Sequence, residues 1–402
     1  MLENVTLKPI SGTFANMLIS DTGIVNAGLK DWENDFKMMK AIGMDHIFII
    51  RTECEQNGVR LSAEDPRSTT WKEDKCLLDM AFRLAEKYDM TVFLGGPVGI
   101  TNLHTGDWQK EVDDTKYYYE RTVAKYSHYK CFKGLYVTRE ALPWHFNFLD
   151  ICTEVLKYMR NSFPDMKTFM SPGFGGLKGD MSSRYNVDEW VDIYGRYFFE
   201  RIAGMLDYCA PQDKITCPAC HYGEILDNGM KEWYLKVGEL FDRCNIELWT
   251  NVETFQQAFP GHGEPKGVFR QGDYRSLYMK LTEAAPLVKR IITYDFFTCM
   301  SPNTEWGTSR KLLARYLEMI GKDPALIDIF VNLLRLRDKG GKLYRVFTDY
   351  CLISDVKHPE GGVAEVTEIT LVYLLAVDPD LEDIRRFHRK EKFFWQIFYV
   401  HG

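Results

Sequence analysis

The feature that most constrains this chain is a regular alternation of short apolar runs with amphipathic stretches of helical period. Eight runs read as strands: Gly12–Met17, His46–Arg51, Thr91–Gly96, Gly134–Arg139, Thr168–Pro172, Tyr208–Gln212, Glu247–Val252 and Arg290–Phe296. They begin about 40 residues apart on average, the pitch of a repeated strand–helix unit. The segments between them step helically. Leu29, Trp32, Phe36 and Met39 are spaced by three, four and three, with Gly43 placed as a C-cap. The stripes Trp190-Tyr194-Phe198-Ile202-Met205 and Met230-Trp233-Val237-Phe241-Cys244 predict further helices lying on the outer face of a sheet. Eight such units, with no long antiparallel block, predict an α/β chain with a (β/α)8 TIM barrel over residues 1–321. A doubly wound open sheet would carry a Gly-rich phosphate turn after its first strand, and Gly12-Thr13-Phe14-Ala15-Asn16 is not one.

Residues 322–402 follow a different pattern. Pro324–Arg337 reads as one more helix and Asp338-Lys339-Gly340-Gly341 as a break. Ala364–Val377 and Phe393–Val400 read as β-rich segments either side of the charged Asp378–Lys392. A small C-terminal accessory region, β-rich or α+β, is expected there. The 402 residues would also suit two or three average domains, but a barrel with an appendage fits equally well.

Composition narrows the function. With 50 Lys+Arg against 57 Asp+Glu the net charge is −7, and no basic stripe for nucleic acid is present. No run of about 18 apolar residues could span a membrane. Met1–Phe14 lacks the order of a signal peptide. The ten cysteines, spread from Cys54 to Cys351 mostly within apolar runs, read as reduced core residues. The expected compartment is the cytoplasm, or the periplasm or exterior if a leader has been removed.

In a (β/α)8 barrel, chemistry gathers at the C-terminal ends of the strands. Those positions are polar here: Asn16, Arg51 and Glu53, Arg139 and Glu140, Ser171, Gln212 and Asp213, Asn251 and Glu253, and Tyr294 with Asp295. Glu140 follows the fourth apolar run and Glu253 the seventh. Those two strands face each other across a barrel mouth, so both carboxylates can enter one cleft. Glycosidic cleavage needs such a pair, one acid to protonate the leaving oxygen and one carboxylate to attack the anomeric carbon or activate water. Each Glu could equally be a strand-end charge paired with Arg51 or Arg139. Trp108, Trp144, Tyr222, Tyr294 and Trp306 follow strands and could stack on sugar rings. Gln212, Asp213, His221 and Asn251 could bind hydroxyls.

The placement of Glu140 and Glu253 is similar to the clan A glycoside hydrolases, barrels with an acid/base Glu after strand 4 and a nucleophilic Glu after strand 7. More closely, residues 10–320 resemble a bacterial family of glycosidase-like barrels catalogued as a domain of unknown function. The likeness rests on the Gly-Thr-Phe opening strand and the helix Trp32…Phe36…Met39-Lys40-Ala41-Ile42-Gly43-Met44-Asp45. Pro211-Gln212-Asp213 and Asn251-Val252-Glu253-Thr254-Phe255 complete it. The resemblance implies a carbohydrate-active barrel. One position departs from it: clan A enzymes usually place Asn before the acid/base Glu, and here Arg139 stands there. A guanidinium beside Glu140 would favour its ionised form, which is wrong for a general acid. That points to an anionic substrate, a changed role for Glu140 or lost catalysis, unless Arg139 faces the other way along the strand.

Three other motifs have weaker claims. Cys217-Pro218-Ala219-Cys220-His221 matches c-type haem attachment and contains the Cys-x-x-Cys of zinc and redox sites, but no second pair completes a zinc site. It reads as a loop with a substrate-facing His221. Glu140, Asp213, His221 and Glu253 form the ligand inventory of a metal-dependent sugar isomerase, without tight metal spacing. Gly173-Phe174-Gly175-Gly176 and Gly261-His262-Gly263-Glu264 lack the Gly-Lys-Ser/Thr of a nucleotide loop.

The expectation is therefore a retaining glycosidase with Glu140 and Glu253 catalytic. Asn16, Arg51, Glu53, Arg139, Trp144, Gln212, Asp213, His221, Tyr222, Asn251, Tyr294 and Asp295 would bind a carbohydrate substrate, with no cofactor or metal. A non-catalytic carbohydrate-binding barrel and a metal-dependent isomerase are the alternatives. The oligomeric state is not readable.

Overall fold

The computed structural model describes residues 7–18, 27–56, 59–65, 76–99, 108–141, 145–174, 186–213, 229–257, 269–304 and 308–327, with five short strand segments between 333 and 375. Two compact units divide the chain, Met1–Pro324 and Ala325–Gly402.

In the first unit, eight parallel strands close into a barrel: β1 (Ile10–Asn16), β2 (His46–Ile50), β3 (Thr91–Gly95), β4 (Phe132–Val137), β5 (Lys167–Met170), β6 (Tyr208–Cys209), β7 (Glu247–Glu253) and β8 (Arg290–Tyr294). Each pairs with its neighbours in sequence, and β1 closes the ring against β8. A helix follows every strand: α1 (Leu29–Ile42), α2 (Leu77–Lys87), α3 (Trp108–Tyr126), α4 (Phe146–Ser162), α5 (Val187–Tyr194), α6 (Gly229–Cys244), α7 (Tyr274–Ala284) and α8 (Ser309–Met319). The (β/α)8 barrel expected from the spacing is the fold of this unit.

Aromatic side chains fill its interior. Phe14, Phe48, Phe93, Tyr136, Phe169, Trp249 and Ile292 form one buried cluster, each on the inward face of its strand. Phe48 and Phe169 meet at 4.3 Å between ring centroids. Room for these rings comes from absent side chains: a Cβ at Gly134 would stand 2.3 Å from the Phe93 ring. At the N-terminal end, His46 bonds Asp45 and lies edge-on to Trp249 at 5.2 Å. The filled barrel is a platform, and any ligand must sit on its rim.

Local sequence explains the elements and their ends. Gly43 closes α1 in the left-handed region at φ 101°. Asn186 and Glu189 form a capping box at the start of α5. The predicted helix through Met205 ends sooner. α5 passes into a wider π turn at Gly195–Phe199, where the Glu200 amide donates to the Gly195 carbonyl, and residues 200–205 are turns. Apolar steps of four, four and four exceed the α-helical period, and the wider turn keeps them facing inward. β6 is also shorter than predicted, because Pro211 has no amide to donate. Pairing resumes as single bridges from Gln212 to Gly173 and Asn251.

Two elements at the rim are unanticipated. After β2, Glu53–Gln56 and Val59–Ser62 form a hairpin, joined by Val98–Gly99 from beyond β3. After β7, Phe255–Gln257 pairs with Phe269–Gln271.

In the second unit, Leu333–Arg337, Leu343–Thr348 and Val372–Leu375 form an antiparallel sheet, and Val356–Lys357 pairs with Glu365–Val366. The helix expected over Pro324–Arg337 is therefore a correction. Pro324–Leu326 is one 3-10 turn and Leu333–Arg337 a strand. Leu334-Arg335-Leu336-Arg337 alternates with period two, a strand signal that outweighs the helical spacing. Asp338–Gly341, Asp378–Lys392 and Phe393–Val400 lie outside the described residues. No helix among the described residues is long and apolar enough to cross a membrane.

Candidate active site

Strand parity decides which rim residues look inward. On β7, Trp249 belongs to the interior cluster, so Asn251 and Glu253 share its face. Both are buried, Glu253 at 8 % exposure. Glu253 lies opposite Tyr294 in the parallel register of β7 and β8. On β4, Tyr136 is interior; the strand ends at Val137, and the Ala141 amide donates to the Arg139 carbonyl at 3.0 Å across the turn that holds Glu140. Glu140 is exposed, beyond the last residue of the strand. Its negative charge acts on the phenols of both Tyr136 and Tyr294, locating it over the mouth.

Tyr294 is the hub of one side of the mouth. Arg51 Nη1 donates to its hydroxyl oxygen at 3.2 Å and Asn16 Nδ2 at 3.4 Å. Burial holds the phenol well above its ordinary range, so it stays protonated. With both acceptor positions engaged, its one proton is available to a third group. Arg51 reaches it from a left-handed backbone at φ 52°, sparsely populated for residues other than glycine. On the other side, Gln212 Nε2 donates to the Ser171 carbonyl at 2.9 Å, and Asn251 Nδ2 to Ser171 Oγ at 3.3 Å.

Four expected substrate contacts are otherwise engaged. Glu53 is bound by Arg121 of α3 and accepts from Ser62 Oγ, so its carboxylate ties the rim hairpin to the helix layer. Arg139 pairs with Glu111 of α3 and stacks over Phe148 at 4.9 Å. Asp213 is fully buried in an ion pair with Lys280 of α7 at 3.0 Å. Asp295 caps the short helix Phe296–Cys299, accepting from the Thr298 amide at 2.8 Å and its hydroxyl at 3.1 Å. Each of the four has found a counter-charge or a helix terminus.

Trp144, His221 and Tyr222 lie outside the described residues, as do Cys217–His221, Gly261–Glu264 and Trp306. Trp108 opens α3 and is 44 % exposed. Two residues escaped the sequence reading of the site. Tyr136 was legible as the large side chain on the inward face of the fourth apolar run. Lys280 was legible as a cation on the buried stripe Leu277, Leu281 and Ala284. Among the described residues, no group of three or more His, Cys, Asp or Glu could hold a metal ion.

The model of the family described as "Domain of unknown function (DUF4434)" matches residues 10–306. A crystal structure of a candidate alpha-L-fucosidase from Bacteroides thetaiotaomicron VPI-5482 superimposes with a TM-score of 0.65 at 27% identity, covering 79% of this chain and 94% of that one. A glycoside hydrolase family 5 mannosidase from Rhizomucor miehei is similar at a TM-score of 0.46 and 10% identity, over 80% of this chain and 95% of that one. An endo-1,4-beta-mannanase from the same organism gives 0.43 and 12%, over 61% and 77%. The curated proteins contain no match to the chain.

Proposed function

This chain belongs to the DUF4434 family, within the glycoside-hydrolase-like (β/α)8 barrels, and from that premise we propose that it is a retaining glycoside hydrolase. Glu253 is the nucleophile and Glu140 the acid/base. The observation that carries this reading is the burial of Glu253 on the inward face of β7, over a floor closed by aromatic rings, with Glu140 just beyond the end of β4 and close enough for its charge to act on Tyr136 and Tyr294. The B. thetaiotaomicron relative supports a sugar substrate.

In the first half-reaction the Glu253 carboxylate attacks the anomeric carbon while the Glu140 carboxyl gives its proton to the leaving oxygen. The glycosidic bond breaks and a glycosyl ester forms on Glu253. Glu140, now ionised, takes a proton from water. The hydroxide attacks the anomeric carbon, the ester bond breaks and the free sugar leaves with its original configuration. This route requires carboxyl groups about 5–5.5 Å apart. Neutral Tyr294 is suited to donate its proton to Glu253 or to the sugar. Asn16, Arg51, Gln212 and Asn251 are suited to hold hydroxyls. The departure at Arg139 is softened, since that guanidinium is paired with Glu111, although it still feels the charge of Glu140. The case for a non-catalytic binding barrel weakens with it.

A panel of 4-nitrophenyl glycosides that includes the α-L-fucoside tests the reading, with product configuration followed by NMR. The wild type should turn over at least one member with retention. On an alkyl glycoside of the same sugar, Glu140→Gln should lower kcat by about 10²–10⁴-fold. Unchanged turnover in both Glu140→Gln and Glu253→Gln would refute the assignment.

A further inference from the structure

Lys280 is an unusual residue for the inner face of a helix. It is 3 % exposed, on the stripe where α7 meets the barrel, between Leu277 and Leu281. Its ammonium touches Asp213 Oδ2 at 3.0 Å and Oδ1 at 3.3 Å, and donates to the main-chain carbonyl of Glu253 at 2.9 Å. Asp213 in turn donates its amide to the Asn251 carbonyl at 3.1 Å. The cavity beside this cluster, lined by Glu253, Asp273, Ser276 and Lys280, measures about 10 Å³, room for one water at most. The ammonium has therefore exchanged nearly all its hydration for these contacts. A buried pair of this kind stabilises a fold less than apolar residues of the same volume would. What it supplies is a fixed geometry, and that geometry falls on one backbone unit: Glu253, the last residue of β7, where the barrel ladder gives way to the rim hairpin.

We infer that Lys280 is a positioning residue which, with Asp213, locks the backbone of Glu253 and so fixes where its carboxylate enters the mouth. The catalytic consequence rests on the proposed nucleophilic role of Glu253; the locking does not. Neither side chain touches the substrate. A tilt at the Glu253 Cα is carried along its side chain to the carboxylate, and a misplacement of about 1 Å costs on the order of 100-fold in rate.

The test is the charge-free pair Lys280→Met with Asp213→Asn, compared with Lys280→Met alone. The single variant buries an uncompensated carboxylate and should unfold at lower temperature. The double variant should recover most of the wild-type Tm. If the pair locks β7, amides at Asp213, Asn251 and Thr254 should exchange hydrogen at least tenfold faster in the double variant, with distant barrel amides unchanged. Its kcat should fall about 10–100-fold, with KM within about threefold. Wild-type exchange and kcat in a double variant with restored Tm would overturn the inference. If the wild type hydrolyses none of the glycosides, the glycosidase reading fails and the exchange experiment alone decides the positioning.

Discussion

Asp35 offers a stability switch whose size and sign follow from its surroundings. It lies on α1 at 2 % exposure, and its Oδ1 accepts from Ser301 Oγ at 2.6 Å and Asn303 Nδ2 at 2.8 Å, tethering the segment beyond β8. Burial pushes its carboxyl from 3.8 up to about 7, against the lowering pull of those two hydrogen bonds. The folded chain thus keeps a proton that the unfolded chain gives up at lower pH. Stability from this group is intact below 3.8, falls as pH rises, and is fully lost above about 7. The shift of about three units corresponds to roughly 4 kcal/mol at pH 8 and about 2 kcal/mol at pH 5. Asp35→Asn retains an oxygen for Ser301 and Asn303 but cannot ionise. Urea unfolding followed by tryptophan fluorescence should show the variant more stable than wild type by about 4 kcal/mol at pH 8. At pH 5 the gain should be about half of that. A variant equally destabilised at both pH values would refute the reasoning, because the wild-type carboxylate would then be contributing as an anion.

Other perturbations have the opposite sign or a different origin. Asp207 accepts from Arg160 at 2.7 Å, Lys167 at 2.9 Å and the Thr168 amide at 2.9 Å, and these outweigh burial to hold its carboxyl below the usual range. Its stabilisation should be present above pH 3.8 and lost as acid takes the folded group through its lowered pKa, so Asp207→Asn should lower Tm at pH 7 and cease to matter in strong acid. Glu111→Gln leaves the Arg139 guanidinium buried at 11 % exposure without its counter-charge, an expected cost of about 3–5 kcal/mol by denaturant titration. Gly134→Ala drives a methyl into the Phe93 ring and should cost about 1–3 kcal/mol, read as a lower midpoint with an unchanged denaturant slope.

The repeat of apolar run and amphipathic stretch was legible because it is a local property. Period two or continuous burial marks a strand, a step of three to four marks a helix, and eight alternations admit one closed parallel ring. The rim position of Glu140 and Glu253 was legible for the same reason, since both follow strands of one parallel ring and so lie at its C-terminal end. The strand of Leu333–Arg337 was misread because a five-residue segment carries both periods, and its antiparallel partner at Leu343–Thr348 decides between them.

The direction of each polar residue past a strand end was settled by tertiary structure. Glu53, Arg139, Asp213 and Asp295 look like site residues in the sequence, yet their partners are Arg121, Glu111, Lys280 and the Thr298 amide. Sequence distances of up to 68 residues separate those charges, so no local pattern records the pairing. Burial forces such groups to find a counter-charge or a hydrogen bond, but which one is reachable depends on how the helices dock around the ring. The order of elements is written along the chain; which of its polar rim residues pair with the helix layer is decided only once the ring has closed.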